Sequence, residues 1–264
     1  IAVPAHAEEG SRYDLARVAT AAAREGSGWR VRGRKAVVEH APQADVLLVS
    51  ARTGGAHGEA KGISMFLVPR SAPGVSLTTY ATLDGRRAAD VSLDVALPAD
   101  ALLGPEGDAL RGISAAYDLG VAAVCAEGVG TLQLALDATI EYTKTRKQFG
   151  VPIAKFQALQ HRMVDMLMHV EQARSMSYLA SMRAGEGDPG ERRRALSAAK
   201  VTVGQACRFV GQQAVQLHGG MGVTDELAVS HAFKRLVAIE MALGDTEHHL
   251  ERFIAAHEAS TEAT

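Results

Sequence analysis

Tyr142-Thr143-Lys144-Thr145-Arg146-Lys147-Gln148-Phe149-Gly150-Val151-Pro152-Ile153 joins two long helical patterns, and the chain can be read outward from it in both directions. Upstream, the period is helical from Asp108 to about Arg146. Downstream of Pro152, Phe156, Leu159, Met163, Met166, Leu167 and Val170 fall on one stripe at three- and four-residue spacing. This predicts a second amphipathic helix, ended by the segment Gly185 to Gly190. A third helix is expected over about Glu191 to Leu217, stopped by Gly219 and Gly220. Thr224 with Asp225 can cap a fourth that reaches about Met241, and a last amphipathic helix covers about Thr246 to His257. Long helices joined by short connections become antiparallel neighbours, so residues 104–264 are expected to form a bundle of four or five helices. The four methionines between Met163 and Met176 read as core filling. Wide apolar faces on several helices point to packing of bundle against bundle, hence to an oligomer.

Before Pro98 and the Gly104-Pro105-Glu106-Gly107 punctuation the patterning is of β type. Trp29 to Val31 and Arg34 to Val38 around Gly33 read as a hairpin, Val46 to Ser50 and Ile63 to Val68 as short apolar strands. Val91, Leu93 and Val95 alternate strictly with Ser92 and Asp94. Residues 1–103 are therefore expected to be a small β-domain, and the fold class α+β. The stretch Thr53 to Gly62, with four glycines and a Glu, is ordinary loop composition rather than a phosphate cradle.

With 28 basic and 30 acidic residues among 264, and a formal net charge of −2, the chain has no global field that would gather nucleic acid or anionic lipid. The longest near-apolar stretch, Leu119 to Ile140, is interrupted by Glu127, Gln133 and Asp137, so a soluble protein with no membrane span is expected. Cys125 and Cys207 lie inside helical patterns and belong to no cluster with metal-ligand spacing. They are read as small buried apolar groups, consistent with a reducing compartment, and the expected location is the cytoplasm. No metal site is expected.

Three segments carry more. Tyr142 to Ile153, with Phe156-Gln157 and Met163-Val164-Asp165-Met166 behind it, closely resembles the RxQFGxxIxxFQ pattern of the acyl-CoA dehydrogenase family. Gln216-Leu217-His218-Gly219-Gly220-Met221-Gly222 is similar to its QxxGGxG turn, and Gly28-Trp29-Arg30-Val31-Arg32-Gly33-Arg34-Lys35 to its middle β-domain. Order and spacing match along the whole chain. The resemblance implies a middle β-domain followed by the carboxy-terminal helical domain, with the family's amino-terminal helical domain missing or lying ahead of Ile1. It also implies FAD bound in an extended form between two subunits. Arg146 is a permanently charged planar donor suited to a pyrophosphate, Gln148 can bond the same dinucleotide, and Phe149, Ile153 and Phe156 would seat adenine. Gln216, Gly219 and Gly220 correspond to the turn that reaches a cofactor held mainly by a neighbouring subunit.

The flavin-ring half departs from the family pattern. Where the family has a TEPxAGSD-like loop, Ala5-His6-Ala7-Glu8-Glu9-Gly10-Ser11-Arg12 keeps only the Gly-Ser pair, and Ala5 replaces the Thr. Where it sets a Trp and a hydroxyl residue against the flavin, this sequence has Val37-Val38-Glu39. A Glu39 carboxylate about 4 Å from the charge of a reduced flavin would oppose reduction by roughly 4 kcal/mol at an effective dielectric of about 20. The chemistry also needs a carboxylate base beside the thioester. The family's YEGT-like turn is matched by Ala242-Leu243-Gly244-Asp245-Thr246, which puts Leu243 or Gly244 at the base position, and the alternative helical position falls on Gly120. The helical arginine that helps bind CoA becomes Val121. Asp245 reads as a helix cap, Glu127 and Glu240 as locally bonded acids, so no catalytic residue is assigned.

The selective loss implies the non-catalytic partner in an acyl-CoA dehydrogenase heterotetramer, acting on an acyl-CoA, with steroid side-chain thioesters among the substrates of such relatives. Three readings stand beside it: a self-sufficient homotetramer with a relocated base, a flavoprotein oxidase or monooxygenase on the same fold, and a structural subunit that binds no flavin.

Overall fold

The computed structural model describes residues 1–185 and 187–262, so Glu186, in the break expected after the second helix, lies outside the described residues. The chain divides into two compact units, Ile1–Ala116 and Tyr117–Thr264.

The first unit is built on one sheet of eight strands: β1 (Ala2–Ala5), β2 (Ala21–Glu25), β3 (Gly28–Glu39), β4 (Val46–Arg52), β5 (Ile63–Pro69), β6 (Val75–Ala81), β7 (Arg87–Leu97) and β8 (Leu102–Leu103). Their order is β6-β7-β3-β2-β4-β5-β8, with β1 added in parallel to β4. The alternation read at Val91, Leu93 and Val95 holds, since all three point into the core between exposed Ser92 and Asp94. Trp29 packs edge-on against Phe66 at 5.2 Å between ring centroids and lies in the same buried cluster as Val31, Leu47 and Val49.

The hairpin expected around Gly33 is not there. Residues 28–39 form one continuous strand paired along its length with β7, and the tight turn is at Gly26-Ser27, between β2 and β3. Gly33 is small for another reason: a Cβ on it would stand 2.4 Å from Thr20 Oγ1 and 2.6 Å from Thr20 Cα. The glycine answers a close approach by a neighbouring segment, a use that looks the same as a turn in sequence. The β3–β7 register slips once, between Lys35 and Val38, leaving Val37 in a bulge with φ 51°.

The second unit contains most of α1 (Leu110–Thr145), then α2 (Gln157–Arg183), α3 (Pro189–His218), α4 (Ala228–Met241) and α5 (Thr246–Glu262). Its centre is α3, which packs against α2, α4 and α5. Leu132 and Leu136 of α1, Met166 and Val170 of α2, Leu196 and Val203 of α3, and Leu236 and Ile239 of α4 share one core. Cys125 and Cys207 are buried in it, and burial pushes both thiols up to about 12, so they are inert apolar groups as expected. Among the described residues α1 is the one helix long and apolar enough by length and composition to cross a membrane, where none was expected. Ten of its residues are buried, Val121, Leu132 and Leu136 among them, while Leu119 and Leu134 are exposed; Glu127 accepts two 2.7 Å bonds from Arg235.

Two expectations about helix faces need correction. Met166 is buried and Met163 and Met176 pack on the core, but Met168 and Leu167 face outward. Thr224 and Asp225 do not cap α4, which starts at Ala228 with Leu227 at its N-cap. The chain after Gly219 tightens first into a 3₁₀ turn, Gly219–Val223, so Thr224 Oγ1 donates to Met221 O at 2.9 Å and the Asp225 carboxylate meets Lys234.

Candidate functional site

The carboxy-terminal end of α1 unwinds directly into a miniature hairpin. Lys147–Gln148 (β9) pairs with Val151–Pro152 (β10), and Ile153 N–H donates to Arg146 O at 2.9 Å to close it. The two turn residues, Phe149 at φ 53° and Gly150 at φ 78°, both have the positive φ of a type I′ turn. This turn carries Phe149 out to 89% exposure. The Phe156 ring stands edge-on to it at 6.0 Å, and Ile153 is half-buried beneath. Among the described residues, the side chains of Arg146 and Gln148 are exposed and have no protein partner. The five candidates from this segment are thus grouped on one short, hydrogen-bonded projection.

The end of α3 supplies the remaining three. Gln216 is exposed in its last turn, and Gly219 leaves the helix at φ 60° with its N–H returned to Gln216 O. A Cβ on Gly220 would meet nothing within 4 Å, so its main chain is open to an approaching group. Tyr142 connects the two helix ends. Its ring stacks on His218 at 4.3 Å and 27°, and its hydroxyl donates to His218 O at 3.3 Å. Burial holds the His218 imidazole below its ordinary pKa, and Nδ1–H donates to Ala214 O at 2.8 Å.

In the first unit, the positions matched to the flavin contacts are occupied differently. Ala5 is buried. Ser11 Oγ donates to Glu8 O at 2.8 Å, folding the loop onto itself. Glu8 reaches inward to Lys35 at 2.6 Å, and the fully buried ammonium also donates to His6 O at 3.1 Å and Ser50 Oγ at 3.0 Å. The three N–H groups of Lys35 are therefore satisfied. Burial, only partly offset by Glu8, lowers the Lys35 pKa to about 8. For Glu8, burial opposes ionisation, but Lys35 and the hydrogen bonds outweigh it and leave the carboxyl below its ordinary value. On β3, Val37 is 55% exposed and Glu39 faces Arg86 at 3.6 Å. An open groove of about 620 Å³ borders the glycine loop at Gly54 and Gly55. Its Arg52 gives all five N–H groups to carbonyls of Val18, Gly54, Lys61, Ala16 and Glu59, so it offers no free cation.

The structure brings the two alternative base positions together. A Cβ on Gly120 would come within 2.7 Å of Leu243 Cδ1, so the leucine is seated on the glycine. Leu243 has φ 54° and its turn is held from three sides. Tyr117 donates its hydroxyl to Leu243 O, His249 Nε2–H donates to the same oxygen at 2.8 Å, and buried Lys200 donates to Glu240 O at 2.8 Å and Gly244 O at 2.7 Å. The nearby acids have partners. Asp245 Oδ1 accepts from His248 N at 2.9 Å and caps α5; Glu240 accepts from Arg208 at 3.1 Å and Thr246 Oγ1 at 3.0 Å; Glu127 is bound by Arg235. Buried Asp118 is held by Arg192 at 3.0 Å and Arg252 at 3.3 Å.

Sequence reasoning did not single out Tyr142, His218, Lys200 or the Glu8–Lys35 pair. Nothing in their spacing marks them, because each acts through a partner 15 or more residues away.

Comparisons agree in both units. Residues 4–95 match the family model "Acyl-CoA dehydrogenase, middle domain" and residues 112–257 match "Acyl-CoA dehydrogenase, C-terminal domain". The human mitochondrial short-chain specific acyl-CoA dehydrogenase is 30% identical over 253 residues, which is 94% of this chain and 60% of the relative. Acyl-CoA dehydrogenase FadE12 of Mycobacterium tuberculosis is 34% identical over 217 residues, 81% of this chain and 56% of the relative. Among solved structures, a putative acyl-CoA dehydrogenase from Mycobacterium smegmatis superimposes with TM-score 0.91 at 27% identity, covering 98% of this chain and 68% of that one. Butyryl-CoA dehydrogenase from Megasphaera elsdenii gives 0.89 at 26%, covering 97% and 67%. The chain spans about 60% of the length of the first of these curated relatives.

Proposed function

The chain belongs to the acyl-CoA dehydrogenase family, and we propose that it serves as the non-catalytic member of a hetero-oligomer, most simply a heterotetramer, in the cytoplasm. In this reading it lends contacts to the nucleotide end of an FAD whose flavin ring is held by a homologous catalytic subunit. FAD, when bound, supplies the hydride acceptor for oxidising the CH–CH bond beside an acyl-CoA thioester.

The fit to FAD differs between the two halves of the site. The nucleotide end fits: Arg146, Gln148 and Gln216 are exposed donors without a protein partner among the described residues, Phe149 and Phe156 present apolar ring surface beside Ile153, and Gly219 and Gly220 leave the main chain open. The flavin end of this same chain does not fit: Val37 offers no aromatic wall, and Glu39 sets a negative charge, paired with Arg86, at the position of the expected hydroxyl. The observation that carries the proposal is Leu243 resting on Gly120. It fills both base positions with apolar atoms, and the donors around the turn resist its rearrangement. The chain's residues would bind and orient a shared dinucleotide, while proton removal from the acyl-CoA falls to the partner.

Arg146→Ala tests the lending role in the assembly isolated with this chain. The loss of one charge-assisted phosphate contact, about 2 kcal/mol, should weaken FAD retention roughly thirtyfold with assembly intact. An unchanged FAD content on dilution would contradict the proposal.

A further inference from the structure

We infer that Tyr142 and His218 form a positioning pair that sets the two nucleotide-contact segments against each other, an inference that rests on the lending role proposed above. The segments are carried by two separate helix ends, and nothing in helix geometry joins them. Each helix finishes with carbonyls that have no intrahelical donor. Tyr142 offers a side-chain donor across the gap to one of them. Its main-chain carbonyl accepts the Arg146 N–H at 2.8 Å, one turn ahead of the hairpin, while its side-chain hydroxyl donates to His218 O, the carbonyl immediately before Gly219. One residue is thereby bonded through its backbone to the α1 segment and through its side chain to the α3 segment.

His218 is the fixed half of the pair. It is 5% exposed, and its Nδ1–H is committed to Ala214 O one turn back along α3, which holds the ring plane. The Tyr142 ring, stacked at 4.3 Å, cannot rotate away without giving up both the ring contact and the hydroxyl bond. The result is a constraint on where Gln216 and Gly220 lie relative to Arg146 and Gln148. Neither ring needs to touch the nucleotide. Their effect on binding would pass through the spacing of the groups that do, where a displacement of about 1 Å is costly.

Graded substitution separates this from a merely structural role. The readout is the FAD dissociation constant of the isolated flavin-loaded assembly, measured by flavin fluorescence at a temperature where circular dichroism shows each variant folded. Tyr142→Leu, which loses ring stacking and hydroxyl, should weaken FAD roughly tenfold. Tyr142→Phe, which keeps the stack, should weaken it about threefold. Arg146→Ala is the reference. If Arg146→Ala loosens FAD while both Tyr142 variants bind it as the parent does, the positioning pair is overturned and the lending role stands. If none of the three changes the constant, both are overturned. Should Tyr142→Leu fail to assemble, Tyr142→Phe and His218→Phe decide alone, and parental affinity in both overturns the inference.

Discussion

Val37, Phe149 and Leu243 are three of the five non-glycine residues that have positive φ among the described residues, the others being Arg12 and His40. Such a conformation costs roughly 1–3 kcal/mol for an ordinary side chain and persists only where the surroundings impose it. These three fall at the expected flavin wall, the adenine finger and the base turn. At all three the surroundings impose the backbone, and of the three side chains only Phe149 is one that the proposed nucleotide contact would use. A second residue-scale feature is the lowered pKa of two histidines, buried His249 and half-buried His6. His249 donates from Nε2 to Leu243 O and accepts from Ser197 at Nδ1 at 3.2 Å; burial first, and the Lys200 charge after it, take its pKa to about 3. Burial and Lys35 take His6 to about 4. Both folded-state values lie below the unfolded value of about 6.5, so the stability they contribute is complete above that pH and lost as pH falls toward the folded values. Lys35 titrates above this window, and its ammonium, with the hydrogen bonds to Glu8, holds the Glu8 carboxyl below its ordinary value. Between pH 6.5 and 4.5 each histidine should remove about 2–3 kcal/mol from its unit, at up to about 1.4 kcal/mol per pH unit. Urea unfolding at several pH values measures this, and His249→Asn should flatten the slope for the second unit. A stability that stays level across the window would refute it.

At the scale of elements, the β9–β10 hairpin is where turn geometry meets the proposed nucleotide contacts. A type I′ turn favours Asn or Gly at its first position, and a phenylalanine there gains neither from turn chemistry nor from burial. Phe149→Asn is accordingly expected to keep or raise the melting temperature while lowering FAD retention about tenfold, the worth of one aromatic contact. Loss of both together would mean that Phe149 serves only the turn. The helices were legible in the sequence because their apolar stripes are long, and the helix ends at Thr145, Arg183, His218 and Met241 fall within about two residues of the expected ones. The start of α4 was misplaced because Thr224 and Asp225 have cap chemistry but are used by the 3₁₀ turn before it. In the sheet, β2 is Ala21-Ala22-Ala23-Arg24-Glu25, without a β-branched residue, and is a strand only because β3 pairs along it. By contrast β6, Val75-Ser76-Leu77-Thr78-Thr79-Tyr80-Ala81, carries the alternating composition and was overlooked. The residues proposed for the nucleotide end were legible only through family resemblance. Arg146 and Gln148 taken singly look like any solvated helix end, and physical spacing adds meaning to them only once Tyr142 is seen bridging to α3.

For the whole molecule, the central claim is an asymmetry: a chain of the acyl-CoA dehydrogenase family that contributes to a flavin site without completing one. The asymmetry is expressed in both units, through Glu39 with Arg86 in the first and Leu243 on Gly120 in the second. A count of flavins tests it most directly. The protein is purified by itself and, separately, with its co-isolated homologous partner, and FAD per chain is measured together with bleaching of the flavin absorbance by an acyl-CoA. We expect no bleachable flavin on the chain by itself, and one FAD for each pair of unlike chains in the assembly. One FAD per chain on the isolated protein, bleached by an acyl-CoA, would contradict the account.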